Sequence, residues 1–236
     1  MKVLVIGGVA AGTKAAAKLK RLNRDAQVKI LTKSKDVSYA GCGLPYYISG
    51  MIPTRDQLIV NTPEKFSGLT GAEVVTGVEA VGLDAEQKTL SVRGEDGAVY
   101  QEGYDKLVIA TGSSPVVPKL DGCEQPGVFT MRTPDDAQGV KDYIKEHSCR
   151  TALVVGCGFI GLEVGENLQK LGLNVTMIDF ADQILPGIFD SEMAEYAKRQ
   201  LTASGSKILL GTALSKVEKT AEGFSVTTTN GHLNTD

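Results

Sequence analysis

A short apolar run that ends in a glycine-rich turn occurs twice in this chain, and the second copy constrains the fold most. Ala152–Val155 leads into Gly156-Cys157-Gly158-Phe159-Ile160-Gly161, and helical spacing follows to Leu171. A second apolar run, Val175–Ile178, ends at Asp179. Continuous apolar runs are what parallel strands buried on both faces require. Strand, G-x-G-x-x-G, helix, strand and terminal acid make a βαβ unit whose turn presents backbone N–H groups to a pyrophosphate. The pattern predicts a dinucleotide site on Gly156, Gly158 and Gly161, with Asp179 bonding a ribose 2′-hydroxyl. Asp179 would repel a 2′-phosphate, and Phe180, Ala181, Asp182 and Gln183 offer no cation for one, which favours NADH over NADPH. Cys157 holds a variable position of the turn, where packing is the expected role.

The first copy is less regular. Val3–Ile6 is an apolar run, Gly7, Gly8 and Gly12 make a turn, Thr13–Leu22 has helical spacing, and Val28–Leu31 reads as a second strand. Val9 stands where the middle glycine of the fingerprint belongs, and Thr32 and Lys33 stand where a ribose-binding acid would end the strand. A mononucleotide-binding unit is expected, with a plain glycine-rich α/β turn as the alternative. In the helix, Ala15, Leu19 and Leu22 follow the spacing of a core stripe. Lys14, Lys18 and Arg21 follow the same spacing on another face. Such a face is ordinarily solvated, but this one starts beside a phosphate-binding turn, so an anionic ligand is the competing reading.

The remaining elements complete a repeat. After a loop and short helix near 62–66, Glu73–Thr76, Val78–Leu83, Thr89–Arg93 and Val99–Gln101 read as strands, with a turn at Asp96-Gly97. Lys106–Ala110 is another buried strand, ended by Thr111-Gly112. Pro115, Pro118, Gly122 and Pro126 suggest a crossing between domains. In the second half, Asp190 is an N-cap for a helix over Ser191–Thr202. Gly205–Gly211 echoes Gly71–Gly77, and another meander follows with a turn at Asn230-Gly231. No counterpart of Lys106–Ala110 precedes Asp236, so a fragment of a longer protein is expected. The fold class is α/β, with two Rossmann-like nucleotide-binding domains, 1–114 and 115–236, the second incomplete and each with an antiparallel meander.

At 236 residues, 42% hydrophobic and 22% charged, the composition is that of a globular protein. A net charge of −3 argues against a general nucleic-acid binder. The N-terminal apolar run is too short for a signal peptide or a membrane span. Four cysteines, Cys42, Cys123, Cys149 and Cys157, have no metal-ligand spacing and suggest reduced thiols in a cytoplasm. Cys42 lies in Ser38-Tyr39-Ala40-Gly41-Cys42-Gly43-Leu44-Pro45, directly before a proline-started apolar segment that reads as a helix. A thiol there would see the positive end of a helix dipole, which favours the reactive thiolate. A tight loop with an idle thiol is the alternative. With no second cysteine nearby, any disulfide of Cys42 involves another molecule or a distant part of the fold.

With these motifs in this order, the chain resembles the flavin-dependent pyridine nucleotide-disulfide oxidoreductases. It is most similar to their single-cysteine branch, the coenzyme A disulfide reductases with NADH oxidase, peroxidase and persulfide reductase relatives. The branch pattern Ser-Phe-x-x-Cys-x-x-Pro appears as Ser38 to Pro45, with Tyr39 for Phe. The resemblance implies FAD along Gly7, Gly8, Val9, Ala10, Ala11, Gly12, Lys33, Val78, Ala110, Thr111 and Gly112, with Thr32 in place of the glutamate that would hold its ribose. It places the nicotinamide cofactor on Gly156, Gly158, Phe159, Ile160, Gly161 and Asp179. It makes Cys42 the catalytic thiol and puts coenzyme A against Lys14, Lys18, Arg21 and Ser38, with Gly41 where the branch often has Asn. It further implies a homodimer, formed through a domain that this sequence does not contain.

Overall fold

The computed structural model describes all residues, Met1–Asp236. By contacts the chain forms two units. The first is Met1–Ala40 with Asp56–Ser114, and the second is Gly41–Arg55 with Pro115–Asp236.

The first unit is built on β1 (Lys2–Ile6), α1 (Ala10–Leu22) and β2 (Gln27–Leu31). It continues through α3 (Pro63–Thr70), β3 (Glu73–Val75), a meander of β4 (Glu79–Asp84), β5 (Thr89–Arg93) and β6 (Val99–Gly103), and β7 (Lys106–Ile109). The sheet is parallel in the order β3-β2-β1-β7, and Val5 pairs with both Ile30 and Val108. Alternation along β1 explains why its run is apolar throughout. Val3 and Val5 pack with Ala16, Ile30 and Phe66, while Leu4 packs with Leu31, Leu90 and Val92. Full burial of each such side chain contributes about 1.5–3 kcal/mol.

Two sequence expectations for α1 change. It begins at Ala10 rather than Thr13, directly after the turn. Its buried residues are Gly12, Thr13 and Ala16, and Leu22 is 73% exposed. The core stripe is carried by these small residues, with Ala17 and Leu19 packed partly against it. The short helix near 62–66 also extends to Thr70, capped by Thr62 and ended at Gly71 with φ +75°.

The second unit repeats the plan with β8 (Thr151–Val155), α5 (Phe159–Lys170), β9 (Asn174–Ile178), α6 (Ser191–Ala203) and β10 (Lys207–Leu209), in the order β10-β9-β8. A meander of β11 (Leu214–Thr220), β12 (Gly223–Thr228) and β13 (Gly231–Thr235) follows. The repeat holds at the level of single hydrogen bonds. Gly7 N–H donates to Leu31 O as Gly156 N–H does to Ile178 O, both at 2.8 Å. Thr32 N–H to Val75 O (3.0 Å) matches Asp179 N–H to Leu209 O (3.1 Å). Asp105, just before β7, accepts Lys2 N–H at 2.6 Å, and Asp236 accepts Arg150 and Thr151 N–H at 2.7 and 2.8 Å. β8 has no neighbour corresponding to β7, and an apolar cavity of about 1000 Å³ lies beside it, lined by Val116, Phe129, Leu153, Phe159 and Phe224 among others.

Two further helices complete this unit, α2 (Leu44–Ile48) and α4 (Pro134–His147). α4 is an addition to the elements expected from sequence, although Ala137, Val140 and Ile144 follow helical spacing; its start is marked by Thr133 and Asp136, which form a capping box around Pro134. No helix is long and apolar enough to cross a membrane.

Candidate nucleotide and thiol sites

Five helices of eight or more residues divide by how they begin. α3, α4 and α6 cap their own first N–H groups with Thr62, Thr133 and Asp190, and each has acid in its first turn. α1 and α5 have no side-chain cap and no acid there. A helix start leaves its first N–H groups without intrahelical partners, so these two are open to an anion. They are the two that follow glycine turns. A Cβ on Gly12 would lie 1.8 Å from Gly7 O, and one on Gly161 would lie 1.9 Å from Gly156 O. Only glycine lets each helix approach its own turn so closely, while Gly7 and Gly156 take φ +110° and +104°. Val9 and Gly158 are the N-cap residues of α1 and α5. Ala10, Ala11, Phe159 and Ile160 lie exposed in the first turns, with Phe159 and Ile160 54% and 58% exposed.

Asp179 is only 7% exposed, and its carboxylate already holds the turn. Oδ2 accepts Cys157 N–H at 2.6 Å and Oδ1 accepts Ala181 N–H at 2.9 Å. A carboxylate has about four acceptor sites, so capacity for a hydroxyl remains. The neighbouring Cys157 thiol is fully buried; burial, with the Asp179 charge adding to it, pushes its pKa up to about 12. This fits the packing role expected for it.

At the matching place in the first unit, Thr32 is buried and its methyl fills the space next to Gly8. Lys33 is exposed and pairs with Glu79 at 3.1 Å. Val78 is buried and donates its N–H to Thr32 O at 3.1 Å. Ala110 follows β7 and its carbonyl closes over Gly7, where a Cβ would lie 2.1 Å away. Thr111 and Gly112 are exposed beyond it, Gly112 with φ +74°.

Lys14 and Arg21 border a cavity of about 660 Å³ with Lys20, Arg24, Thr70 and Gly71. Lys18 is exposed and is not part of it. Lys20 Nζ is tied to Arg24 O and Ala26 O at 2.6 and 3.0 Å, so Lys14, Arg21 and Arg24 supply the outward charge. Of the Lys14, Lys18 and Arg21 face expected from sequence, the cavity thus takes Lys14 and Arg21 and leaves Lys18 out, and it adds Arg24, just past the helix end. Ser38 lies by the first glycine turn, its N–H donating to Gly8 O at 2.8 Å. Its φ of +50° is a left-handed conformation seldom taken by residues with a side chain.

Cys42 is free and exposed, whereas Cys123 and Cys157 are buried and Cys149 is half-buried. It sits in one 3-10 turn, Gly41–Gly43, that runs straight into α2. A side chain at Gly41 would meet nothing within 4 Å, so packing does not demand glycine there. α2 is the proline-started helix expected after the thiol, but it is only five residues long, so few peptide dipoles align behind Cys42. The segment is held instead by distant residues. Leu44, Pro45, Tyr47 and Ile48 are buried against α4 and α5. Lys141 Nζ donates to Tyr47 O at 3.1 Å and lies 4.0 Å from the Tyr47 ring centre. Tyr47 OH donates to Gln138, Ser49 Oγ donates to Asn167 Oδ1 at 2.7 Å, and Arg55 pairs with Asp135 at 2.5 Å.

The model of the pyridine nucleotide-disulphide oxidoreductase family matches residues 1–236, the whole chain. The chain belongs to that family. Within these oxidoreductases, it is 34% identical to an NADH oxidase of Methanocaldococcus jannaschii over 217 residues, 92% of the chain and 48% of the relative. It is 33% identical to a coenzyme A disulfide reductase of Staphylococcus haemolyticus over 184 residues, 78% of the chain and 41% of the relative. The structure of an NAD-dependent persulfide reductase from A. fulgidus covers 100% of the chain with a TM-score of 0.96 at 33% identity, and the chain covers 44% of that protein. The chain thus spans about half the length, or less, of the curated relatives it matches.

Proposed function

We propose that the full-length protein is an NADH-dependent flavoprotein that reduces coenzyme A disulfides or persulfides through Cys42. The observation that carries this reading is the exposed, lone Cys42 in a chain with two uncapped glycine-turn helices. The turns fit two pyrophosphates, FAD on the first unit from Gly7 to Gly12 and NADH on the second from Gly156 to Gly161. Residues 1–114 are then the first part of the FAD domain and 115–236 the NAD(P)H domain. Asp179 disfavours a 2′-phosphate, so NADH is the donor. When bound, FAD relays two electrons from NADH to sulfur.

The chain's own chemistry is thiol–disulfide exchange. The Cys42 thiolate attacks one sulfur of coenzyme A disulfide, the S–S bond breaks, and the leaving thiolate takes a proton from solvent. A mixed disulfide of Cys42 and coenzyme A remains. Two electrons and a proton, ultimately from NADH and solvent, cleave it to the second thiol and the Cys42 thiolate. Lys14, Arg21 and Arg24 offer the positive charge that the coenzyme's phosphates require, as does the exposed Lys18. Ser38 and Gly41 flank the thiol in sequence. A homodimer in the cytoplasm goes with this reading.

The likeness to an NADH oxidase supports a second reading. In it, the Cys42 thiolate attacks one oxygen of hydrogen peroxide, the O–O bond breaks, and the leaving hydroxide takes a proton from solvent, giving a sulfenic acid and water; two electrons and one proton then return the thiolate and a second water. The test is anaerobic thiol release from coenzyme A disulfide by NADH with the full-length protein. Sustained release that is lost in Cys42→Ser supports the reductase. NADH consumption only with oxygen or peroxide moves the assignment to the second reading. A single round of flavin reduction without turnover would instead leave a nucleotide-binding redox sensor.

A further inference from the structure

We infer that Asn167 and Lys141 are positioning residues for Cys42, clamping its segment onto the helix that begins at the nicotinamide turn; the inference rests on the catalytic role proposed for that thiol. α2 is five residues long, far short of the roughly 12–15 that an isolated helix needs to hold itself. Its place, and with it that of the Gly41–Gly43 turn, is therefore decided by what it touches.

Asn167 is fully buried in α5, on a helix whose other buried residues are Leu162, Gly165 and Leu168. A buried amide is costly unless hydrogen-bonded. Both ends of this one are used: Oδ1 accepts Ser49 Oγ at 2.7 Å, and Nδ2 donates to Glu163 O at 2.8 Å. A helix packing on a sheet has no need of such a group, whereas a segment that must dock in one register does. Lys141 makes the second link, from α4. Its charge meets the Tyr47 carbonyl in the last turn of α2 and the face of the Tyr47 ring. Asn167 and the N-cap Gly158 are on the same helix, about 13 Å apart along it at 1.5 Å per residue. One rigid element thus carries both the nucleotide turn and the anchor of the thiol segment.

The test uses the FAD-loaded full-length protein with Asn167→Leu, Lys141→Met, the conservative Lys141→Arg, and Ser49→Ala, which removes only the hydroxyl. Three quantities are read: kcat for thiol release, the KM for NADH, and the rate of Cys42 alkylation by iodoacetamide across pH. A displacement of about 1 Å can cost about 100-fold in rate, so kcat should fall by about tenfold or more in Asn167→Leu and Lys141→Met. The KM for NADH should hold, the alkylation profile should shift, and Lys141→Arg should restore both. Ser49→Ala should shift the profile in the same direction by less, and serves if Asn167→Leu does not fold. Unchanged kcat and alkylation in the folded variants overturn the inference, as does a rise in the KM for NADH with alkylation unchanged. If Cys42→Ser still releases thiol, the catalytic reading of Cys42 is lost, and the clamp stands or falls on alkylation alone.

Discussion

Glycines in this chain do different work, and the surroundings of each tell which. Gly161 has a carbonyl 1.9 Å from where a Cβ would go, and that carbonyl belongs to the turn it must approach. Alanine there has to push the start of α5 away from the turn, at an overpacking cost of about 1–3 kcal/mol. Because that start is the proposed pyrophosphate seat, Gly161→Ala should weaken NADH binding by about tenfold or more, a factor of ten being about 1.4 kcal/mol. Gly68, inside α3, is the contrast: a Cβ meets nothing within 4 Å. Gly68→Ala should stabilise by about 0.5–1 kcal/mol and leave NADH binding alone. Fluorescence titration with NADH and thermal unfolding read the two effects. Equal behaviour of the two variants would remove the close-approach argument. Glycine spacing made Gly161 legible in the sequence, whereas the carboxylate of Asp179 bracing Cys157 N–H was not, because a terminal acid reads only as a ligand for ribose.

At the scale of elements, what could be read locally was read well. Parallel strands with both faces buried announce themselves as apolar runs, and the glycine turns fix where helices start. α4 was missed although Ala137, Val140 and Ile144 keep helical spacing, because Pro134 and Gly139 are poor helix formers and stand within the same stretch. The packing of Gly41–Arg55 into the second unit could not be read at all. Its partners Gln138, Lys141 and Asn167 are more than 90 residues away, and no local pattern ties them to Tyr47 or Ser49. The start of α4 is marked by its capping box, in which Thr133 Oγ1 accepts Asp136 N–H at 3.2 Å and Asp136 returns a bond from Thr133 N–H at 2.8 Å. Thr133→Ala should cost about 1 kcal/mol. For a chain of this length that is a Tm lower by about 2–4 °C. Thr133→Ser should recover most of it, and a Tm unchanged by alanine would mean that the box contributes nothing.

Over the whole molecule the formal charge is small, −3, yet the charges are not evenly spent. In the first unit one half-buried carboxylate of the meander is bound by two strands of the parallel sheet. Glu102 of β6 is bound by Lys2 of β1 at 2.6 Å and Lys29 of β2 at 3.0 Å, with its side chain only 15% exposed. The hydrogen bond from Lys2, joined by Lys29 and opposed by burial, holds the Glu102 carboxyl below its ordinary 4.5. A carboxyl lowered in the folded state adds stability that is complete above the unfolded value and is lost as pH falls through the folded one. Lys29 moves the other way: burial, which would lower it, is outweighed by hydrogen bonds to Glu102 and Glu73, and it is raised above 10.5. Its own titration affects stability only on the alkaline side, above 10.5, so Lys29 stays charged through an acid scan and Glu102 is the partner that titrates. Glutamine has the shape and charge of a protonated glutamate, so Glu102→Gln should unfold at a lower temperature than the parent at neutral pH. The gap between the two melting temperatures should hold down to pH 4.5, shrink below it, and close once pH has passed the folded value of Glu102. A gap that persists unchanged into acid would show that glutamine disturbs packing, and that the charge of Glu102 is not what joins the meander to the sheet.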